Sequence, residues 1–386
     1  MKMINGSMRH LGTGLVALLM VGASSLAARA DITVGVLAPL TGPAAALGAE
    51  TKRAITLIPD TLAGEKVTVV ILDDATDPTA AVRAAQRLVS ENKVDVILGP
   101  GINALAAAVT PVAQESGTPM IALTPYQPPA DKQKWVFRSV QNADSMVRRI
   151  VQDMTEKKVK TVGYIGFADA WGDLLAKELD KALAGTDIKL VASERFNRQD
   201  TTVTAQVLKL LAYHPEVVFV GGSGTPATLP EIELKKRGFK GQIYQSHGVT
   251  TREFIRVGGA AVEGTLIPVG PILVAEQLPD GHPSKAAGVA FNKAIEDANG
   301  PNSRSAQAGT AWDSWLLFAN AVPTALKTAQ PGTPEFRAAV RDALENTKGL
   351  VGVHGVYTMT PEDHTGLDDN ARVLIEIVDG QWKLVK

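Results

Sequence analysis

The sequence predicts an α/β protein made of two domains, each with a largely parallel sheet. Three observations lead there. From Asp31 onward, apolar runs of strand length alternate with segments of helical period. Around Arg138 to Ala143 the alternation breaks off and then restarts in the same style, with no residue-level repeat. The chain has 386 residues, enough for two separate cores.

The first strand is expected at Ile32 to Ala38, followed by strands near Lys66 to Leu72, Val94 to Leu98 and Thr118 to Leu123. The segment Pro78 to Glu91 places Ala81, Val82, Ala85, Leu88 and Val89 on one face and Arg83, Gln86 and Arg87 on another, an amphipathic helix. Asp77 precedes it as an N-cap, so Asp73, Asp74 and Asp77 read as strand-end and capping residues. The EF-hand spacing is absent, and no metal site is expected. An Ala-rich helix from about Asn103 to Ser116 joins the third strand to the fourth.

The second half reads as strand Thr161 to Gly166, helix Trp171 to Leu183, strand Ile188 to Arg195 and helix Thr202 to Leu211. Strand Glu216 to Val220, helix Pro226 to Arg237 and strand Gln242 to Ser246 follow. After Gly264 to Val269 come three helical segments, Pro283 to Ala298, Ser305 to Lys327 and Pro334 to Asn346. Their Trp312, Trp315, Leu316 and Phe318 are expected to pack on a sheet. Asp379-Gly380, between the apolar segments of Val373 to Val385, signals a closing hairpin.

Among these units, VDVILGPGINALAAAVTPVAQESGTPMIALTPY (94–126) is the most informative. It reads as strand, helix, parallel strand, each strand ending in a polar turn. In open parallel sheets ligands bind beyond the carboxyl ends of the strands, where a helix N-terminus offers free N–H groups. Asn103 stands at that helix start, and Thr124 and Tyr126 lie beyond the neighbouring strand. Taken alone, Gly-Pro-Gly as a tight turn and Asn103 as an N-cap is the simpler reading.

Residues 1–30 carry Lys2, Arg9 and His10 ahead of the apolar run Leu11 to Val21, and end Ala28-Arg29-Ala30. This is the pattern of a cleavable secretory signal, with cleavage expected before Asp31. No later apolar run is long enough to span a bilayer, so a soluble, exported protein is expected. There is no cysteine, which excludes disulfides, thiolate metal sites and a lipid-anchored N-terminal Cys, and points to a periplasm. Thirty-nine Lys+Arg against 40 Asp+Glu give no basic field for nucleic acid or anionic membranes; a small neutral or singly charged ligand fits better.

Six segments in order carry a resemblance: ITVGVLAPLTGPAAALGAETKRAI at the mature N-terminus, the 94–126 unit, WVFRSV, TVGYIGFADAWGDLLAKEL, VVFVGGSGTPA and IYQSHGV. Together they resemble the periplasmic solute-binding proteins of branched-chain amino-acid type ABC transporters, the type I bilobed or Venus flytrap family, over essentially the whole mature chain. The resemblance implies two Rossmann-like lobes joined by three crossovers near 139–143, 266–271 and 350–357. Lobe one would then comprise 31–140 and 269–352, and lobe two 141–268 and 353–386. It also implies a small ligand held between lobes that close by hinge rotation, and delivery to a membrane permease. No cofactor is implied, and a monomer is expected.

Carried over by position, the first-lobe carboxylate site falls on Ile102, Asn103 and Ala104 and on Thr124, Pro125 and Tyr126. The family usually has a hydroxyl residue at the place of Asn103 and a smaller hydroxyl residue at the place of Tyr126, which implies a narrowed, more aromatic cleft. In the second lobe Trp171, beside Gly172, and the Gly221 to Thr225 turn with Ser223 and Gly224 should face the cleft. Leu47, in the loop after the first strand, holds a position often aromatic in the family. His247 stands where amino-acid binders of the family typically carry an acid that pairs with the ligand's ammonium. A histidine supplies no such charge, and is suited instead to a carboxylate, carbonyl or phenol oxygen. An organic acid with an apolar or aromatic body is therefore expected ahead of a branched-chain amino acid.

Two alternatives remain. A sensor docking on a membrane receptor needs the same closure. A periplasmic hydrolase would have to assemble Asp169, Ser223 and His247, but the G-x-S-x-G elbow, the H-E-x-x-H pair and the G-x-G-x-x-G turn are all missing.

Overall fold

The computed structural model describes residues 31–385. The expected signal segment lies outside the described residues. The first lobe begins β1 (Ile32–Ala38), α1 (Ala45–Ile55), β2 (Thr61–Leu62), β3 (Glu65–Asp73), α2 (Pro78–Ser90) and β4 (Val96–Leu98). It continues α3 (Asn103–Ser116), β5 (Met120–Ala122) and β6 (Val136–Arg138). Six strands lie in the order β2-β3-β1-β4-β5-β6, parallel except for β2.

This sheet is covered on both faces, which is why its strands read as unbroken apolar runs. Val96 and Leu98 point into one core, with Phe137 and Phe318, while Ile97 between them points into the other, with Leu88 and Leu105. Asp77 caps α2 as expected, accepting from the Ala80 N–H at 2.8 Å. Two local expectations change. Leu47 sits in the first turn of α1, not in a loop. Asn103 is the first residue inside α3, and the capping position belongs to Ile102, which makes no side-chain cap.

The second lobe runs α4 (Ala143–Glu156), β7 (Thr161–Phe167), α5 (Ala170–Leu183), β8 (Lys189–Phe196), α6 (Thr204–Leu211) and β9 (Val217–Gly221). Next come α7 (Thr228–Lys236), β10 (Gln242–Gln245), α8 (Arg252–Gly258) and β11 (Leu266–Val269). The chain returns to the first lobe for α9 (Lys285–Asn299), α10 (Ala306–Ala325), α11 (Pro334–Glu345) and the short hairpin β12 (Leu350–Val351) with β13 (Val356–Tyr357). Trp315 and Phe318 of α10 pack on the first sheet. The chain ends with β14 (Val373–Val378) and β15 (Gln381–Leu384), the Asp379-Gly380 hairpin. The second sheet has the order β15-β14-β11-β10-β9-β7-β8, and only β14 runs against the others, pairing antiparallel with both β11 and β15.

The third passage between lobes lies later than expected. Tyr357, Met359 and Leu367 pack in the first-lobe core, and the His364 ring stacks on Phe137 with centroids 4.2 Å apart. The Arg138 N–H donates to the His364 carbonyl at 3.0 Å. Residues 353–367 therefore pack with the first lobe, and the passage falls at 368–372. The segment Pro271–Gln277, placed in the first lobe by sequence, leans on the second: the Gln277 amide donates to the Trp382 carbonyl and accepts from the Leu384 N–H.

The three crossing segments meet at one point. The Gln141 amide donates to the Ala371 carbonyl at 2.7 Å, tying the first passage to the third. Gly270, in the second, cannot carry a Cβ, which would stand 2.0 Å from His354 Nδ1 and 2.4 Å from Gln141 Nε2. Asp313 of α10 accepts from the Val353 and His354 N–H groups at 2.8 and 3.0 Å. Burial raises the Asp313 carboxyl to about 7.

Candidate ligand-binding cleft

The two lobes enclose about 570 Å³ of space, part of it open to solvent. The carboxyl ends of both sheets supply its walls, as open parallel sheets do.

On the first-lobe side lie Leu47, Ile102, Asn103, Thr124 and Pro125, joined by Gln307 and Thr310 of α10. Asn103 and Thr124 are buried, and the Thr124 hydroxyl donates to the Asn103 amide oxygen at 2.5 Å. The pair forms because β4 and β5 are adjacent and both end at the cleft.

On the second-lobe side, Trp171 is held at the start of α5. Asp169 caps that helix, accepting from the Trp171 and Gly172 N–H groups at 2.9 and 3.2 Å. Gly172 lets the helix approach the end of β7: a Cβ there would lie 1.9 Å from the Phe167 carbonyl oxygen. The indole N–H donates to the Gly222 carbonyl at 3.1 Å, and the ring meets His247 edge-on with centroids 5.5 Å apart. Trp171 is thus both core and cleft wall; it is 5 % exposed and packs with Phe167 and Val220.

His247 follows β10 in a short turn that Ser246 caps through the Gly248 N–H at 3.1 Å. Among the described residues its ring makes no hydrogen bond. Burial first, and then the neighbouring His354, push it down to about 4, so it is neutral near pH 7. His354 is also pushed down to about 4 by burial. Its Nε2 lies 2.9 Å from the Ala306 carbonyl, which only accepts, so Nε2 carries the proton.

Arg198 follows β8 and is the cleft's charged side chain. Its Nε donates to Asp169 Oδ2 at 2.6 Å and its Nη1 to Ser223 Oγ at 2.9 Å. The guanidinium lies 4.1 Å from the centre of the Phe167 ring. Burial lowers its pKa, Asp169 opposes that shift, and a guanidinium stays protonated in any case. Among the described residues lining the cavity there is this one cation, two neutral histidines and no carboxylate.

The cavity gathers Leu47, Ile102, Asn103, Thr124, Pro125, Trp171, Ser223 and His247 from the sequence expectations. Three expected residues stand aside. Ala104 faces a neighbouring groove along with Asp169 and Asn197. Tyr126 packs against the apolar cluster that includes Leu105 and Val109 of α3 and does not line the cavity, so it does not narrow the cleft. Gly224 shapes its turn, with φ 61° and its N–H on the Gly248 carbonyl at 2.8 Å, but does not line the cavity. Sequence reasoning missed Arg198, Gln141, Gln307, Thr310 and His354. Arg198 alone carried a usable signal, since it stands just beyond the carboxyl end of a parallel strand. Among the described residues no group of three His, Cys, Asp or Glu could hold a metal, and no helix is long and apolar enough to cross a membrane.

The family profile described as Periplasmic binding protein matches residues 31–377. The Leu/Ile/Val-binding protein BraC3 of Rhizobium johnstonii is 27% identical over 345 residues, 86% of this chain and 88% of that protein. A Leu/Ile/Val-binding protein homologue of Brucella melitensis is 31% identical over 252 residues, 62% of this chain and 67% of that protein. Among solved structures, an extracellular ligand-binding receptor from Rhodopseudomonas palustris HaA2 superimposes with a TM-score of 0.90 at 42% identity, covering 92% of this chain and all of that one. A solute-binding protein of an R. palustris ABC transporter, solved with benzoate, shares the fold at a TM-score of 0.78 and 19% identity over 92% of this chain and 96% of that one. A two-lobed α/β chain whose cleft lies at the strand ends of both sheets, and which matches this profile from the first strand to the last hairpin, belongs to the type I periplasmic binding proteins of the branched-chain amino-acid family.

Proposed function

We propose that this protein is the extracytoplasmic solute-binding component of an ABC importer. It captures a small organic carboxylate, aromatic or aliphatic and without an ammonium group, between its lobes and hands it to a membrane permease. The observation that carries the ligand class is the charge inventory of the cleft: one guanidinium, two neutral histidines and no carboxylate. A buried ammonium without a counter-charge costs about 3–5 kcal/mol when its partner is removed. At 1.4 kcal/mol per decade, that is roughly two to three and a half orders of magnitude in affinity.

The apolar side chains of Leu47, Ile102 and Val269 and the edge of Trp171 suit an apolar or aromatic body. The benzoate-bound fold relative supports the reading only in that this architecture accepts a carboxylate without an ammonium. Calorimetric titration of ligand-stripped residues 31–386 with benzoate and hexanoate against leucine and valine tests it. Heat from the acids alone is the expected result; tight binding of the amino acids alone would overturn the ligand class.

A further inference from the structure

We propose that the ligand's carboxylate is anchored by Arg198 on the second lobe, not by the N-terminus of α3 on the first. The inference rests on the carboxylate reading above and fixes which way round the ligand lies.

Two observations carry it. The first concerns the donors that the first lobe has left. The Thr124 hydroxyl already donates to the Asn103 amide oxygen at 2.5 Å, so its proton is occupied within the protein. Ala104, on the same helix turn, faces the neighbouring groove. What remains there is the Asn103 NH₂ and the backbone N–H groups of the first turn, uncapped by any side chain, at a helix dipole end equivalent to about half a charge against the full charge of a guanidinium.

The second concerns the donors that Arg198 has free. A guanidinium has five N–H groups in a planar fork. Asp169 takes the one on Nε and Ser223 one on Nη1. Both hydrogens of Nη2 and one of Nη1 have no partner among the described residues, and the side chain, 10 % exposed, lines the cavity. That leaves donors on both terminal nitrogens, the pattern a carboxylate accepts with two oxygens. Asp169 and Phe167 fix the fork from behind, so little side-chain freedom remains to be lost on binding.

Arg198 also lines the groove beside the cleft, with Ala104 and Gln199. It stands at the cavity's edge. The carboxylate would therefore sit at the rim, and the apolar body would reach inward past Trp171 toward His247 and His354.

The test uses matched pairs differing only in charge, benzoate with benzamide and hexanoate with hexanamide, titrated calorimetrically into the full mature chain. Wild type should prefer each acid that it binds over its amide by roughly a hundredfold. R198Q should bring that ratio to within about threefold, and T124V should weaken acid and amide alike while keeping the ratio. Because R198Q leaves Asp169 without its partner, D169N/R198Q removes the pair together and keeps a capping residue on α5; it should lose the preference equally while melting near the wild-type temperature. An acid preference that survives R198Q would return the anchor to the first turn of α3, whether or not T124V reduces it. Wild type binding acid and amide equally would refute the anchor alone, whereas binding neither acid would refute the carboxylate reading with it.

Discussion

The two walls of the cleft are built on the same plan and equipped differently. On the first lobe, the Thr124 hydroxyl spends its proton on the Asn103 amide oxygen, and Leu47, Ile102 and Pro125 add no charge. On the second, Arg198 keeps unpaired donors and His247 has a ring with no hydrogen bond among the described residues. One wall is shaped before the ligand arrives; the other waits for its polar atoms. Orphaned buried polar groups are costly, and they persist where a ligand completes them. On the proposed reading, the second lobe selects the ligand and the first acts chiefly as a fitted cover.

Trp171→Ala strikes the second wall hardest. The side chain is core as well as wall, so a loss of about 3–5 kcal/mol in stability is expected together with lost affinity. Chemical denaturation alongside calorimetry measures both; full stability with unchanged binding would remove Trp171 from either role. His247→Glu should supply the missing counter-charge. Leucine is expected to gain roughly tenfold or more relative to benzoate, and an unchanged ranking would take position 247 out of the specificity argument.

On the first wall the effect should be smaller and of another kind. Asn103→Ala leaves the buried Thr124 hydroxyl without its acceptor, which costs about 1–3 kcal/mol of stability, with acid and amide affected alike. A selective loss of acid binding would show that the first wall discriminates after all.

The smallest effect expected is that of pH on affinity. His247 and His354 are both depressed from 6.5 to about 4, so they take up protons only well below their ordinary range and stay neutral from pH 5.5 to 8. With a permanently charged Arg198 as anchor, carboxylate affinity should be flat across that window. An affinity that rises as pH falls through 6.5 would mean that a histidinium holds the anion.

How much of this could be read from the chain differs between the two walls in the same way. The strands and helices were legible because a doubly covered parallel sheet writes itself as apolar runs between amphipathic helices. Asn103 and Thr124 were legible because they end two such strands next to each other. The third passage was misplaced because 358–370 is polar and aperiodic, and its attachment to the first lobe depends on single contacts such as His364 on Phe137. Gln141 comes from the first crossing segment, His354 from the turn of the short β12–β13 hairpin, and Gln307 and Thr310 from the start of a long helix; no local period marks them as cleft residues. Tyr126 reads as a cleft aromatic from its place after β5, yet it packs against the first-lobe apolar cluster and stays out of the cavity lining.

On the proposed reading this cleft takes a carboxylate and has no place for an ammonium. Leucine and 4-methylpentanoate share a carboxylate and a branched body and differ in the α-ammonium alone. Calorimetric titration of the ligand-stripped protein, residues 31–386, with each isolates that group. 4-Methylpentanoate should bind at least roughly a hundredfold more tightly than leucine. Leucine binding more tightly would contradict it, and would mean that the cleft holds a counter-charge for the ammonium that its lining side chains lack.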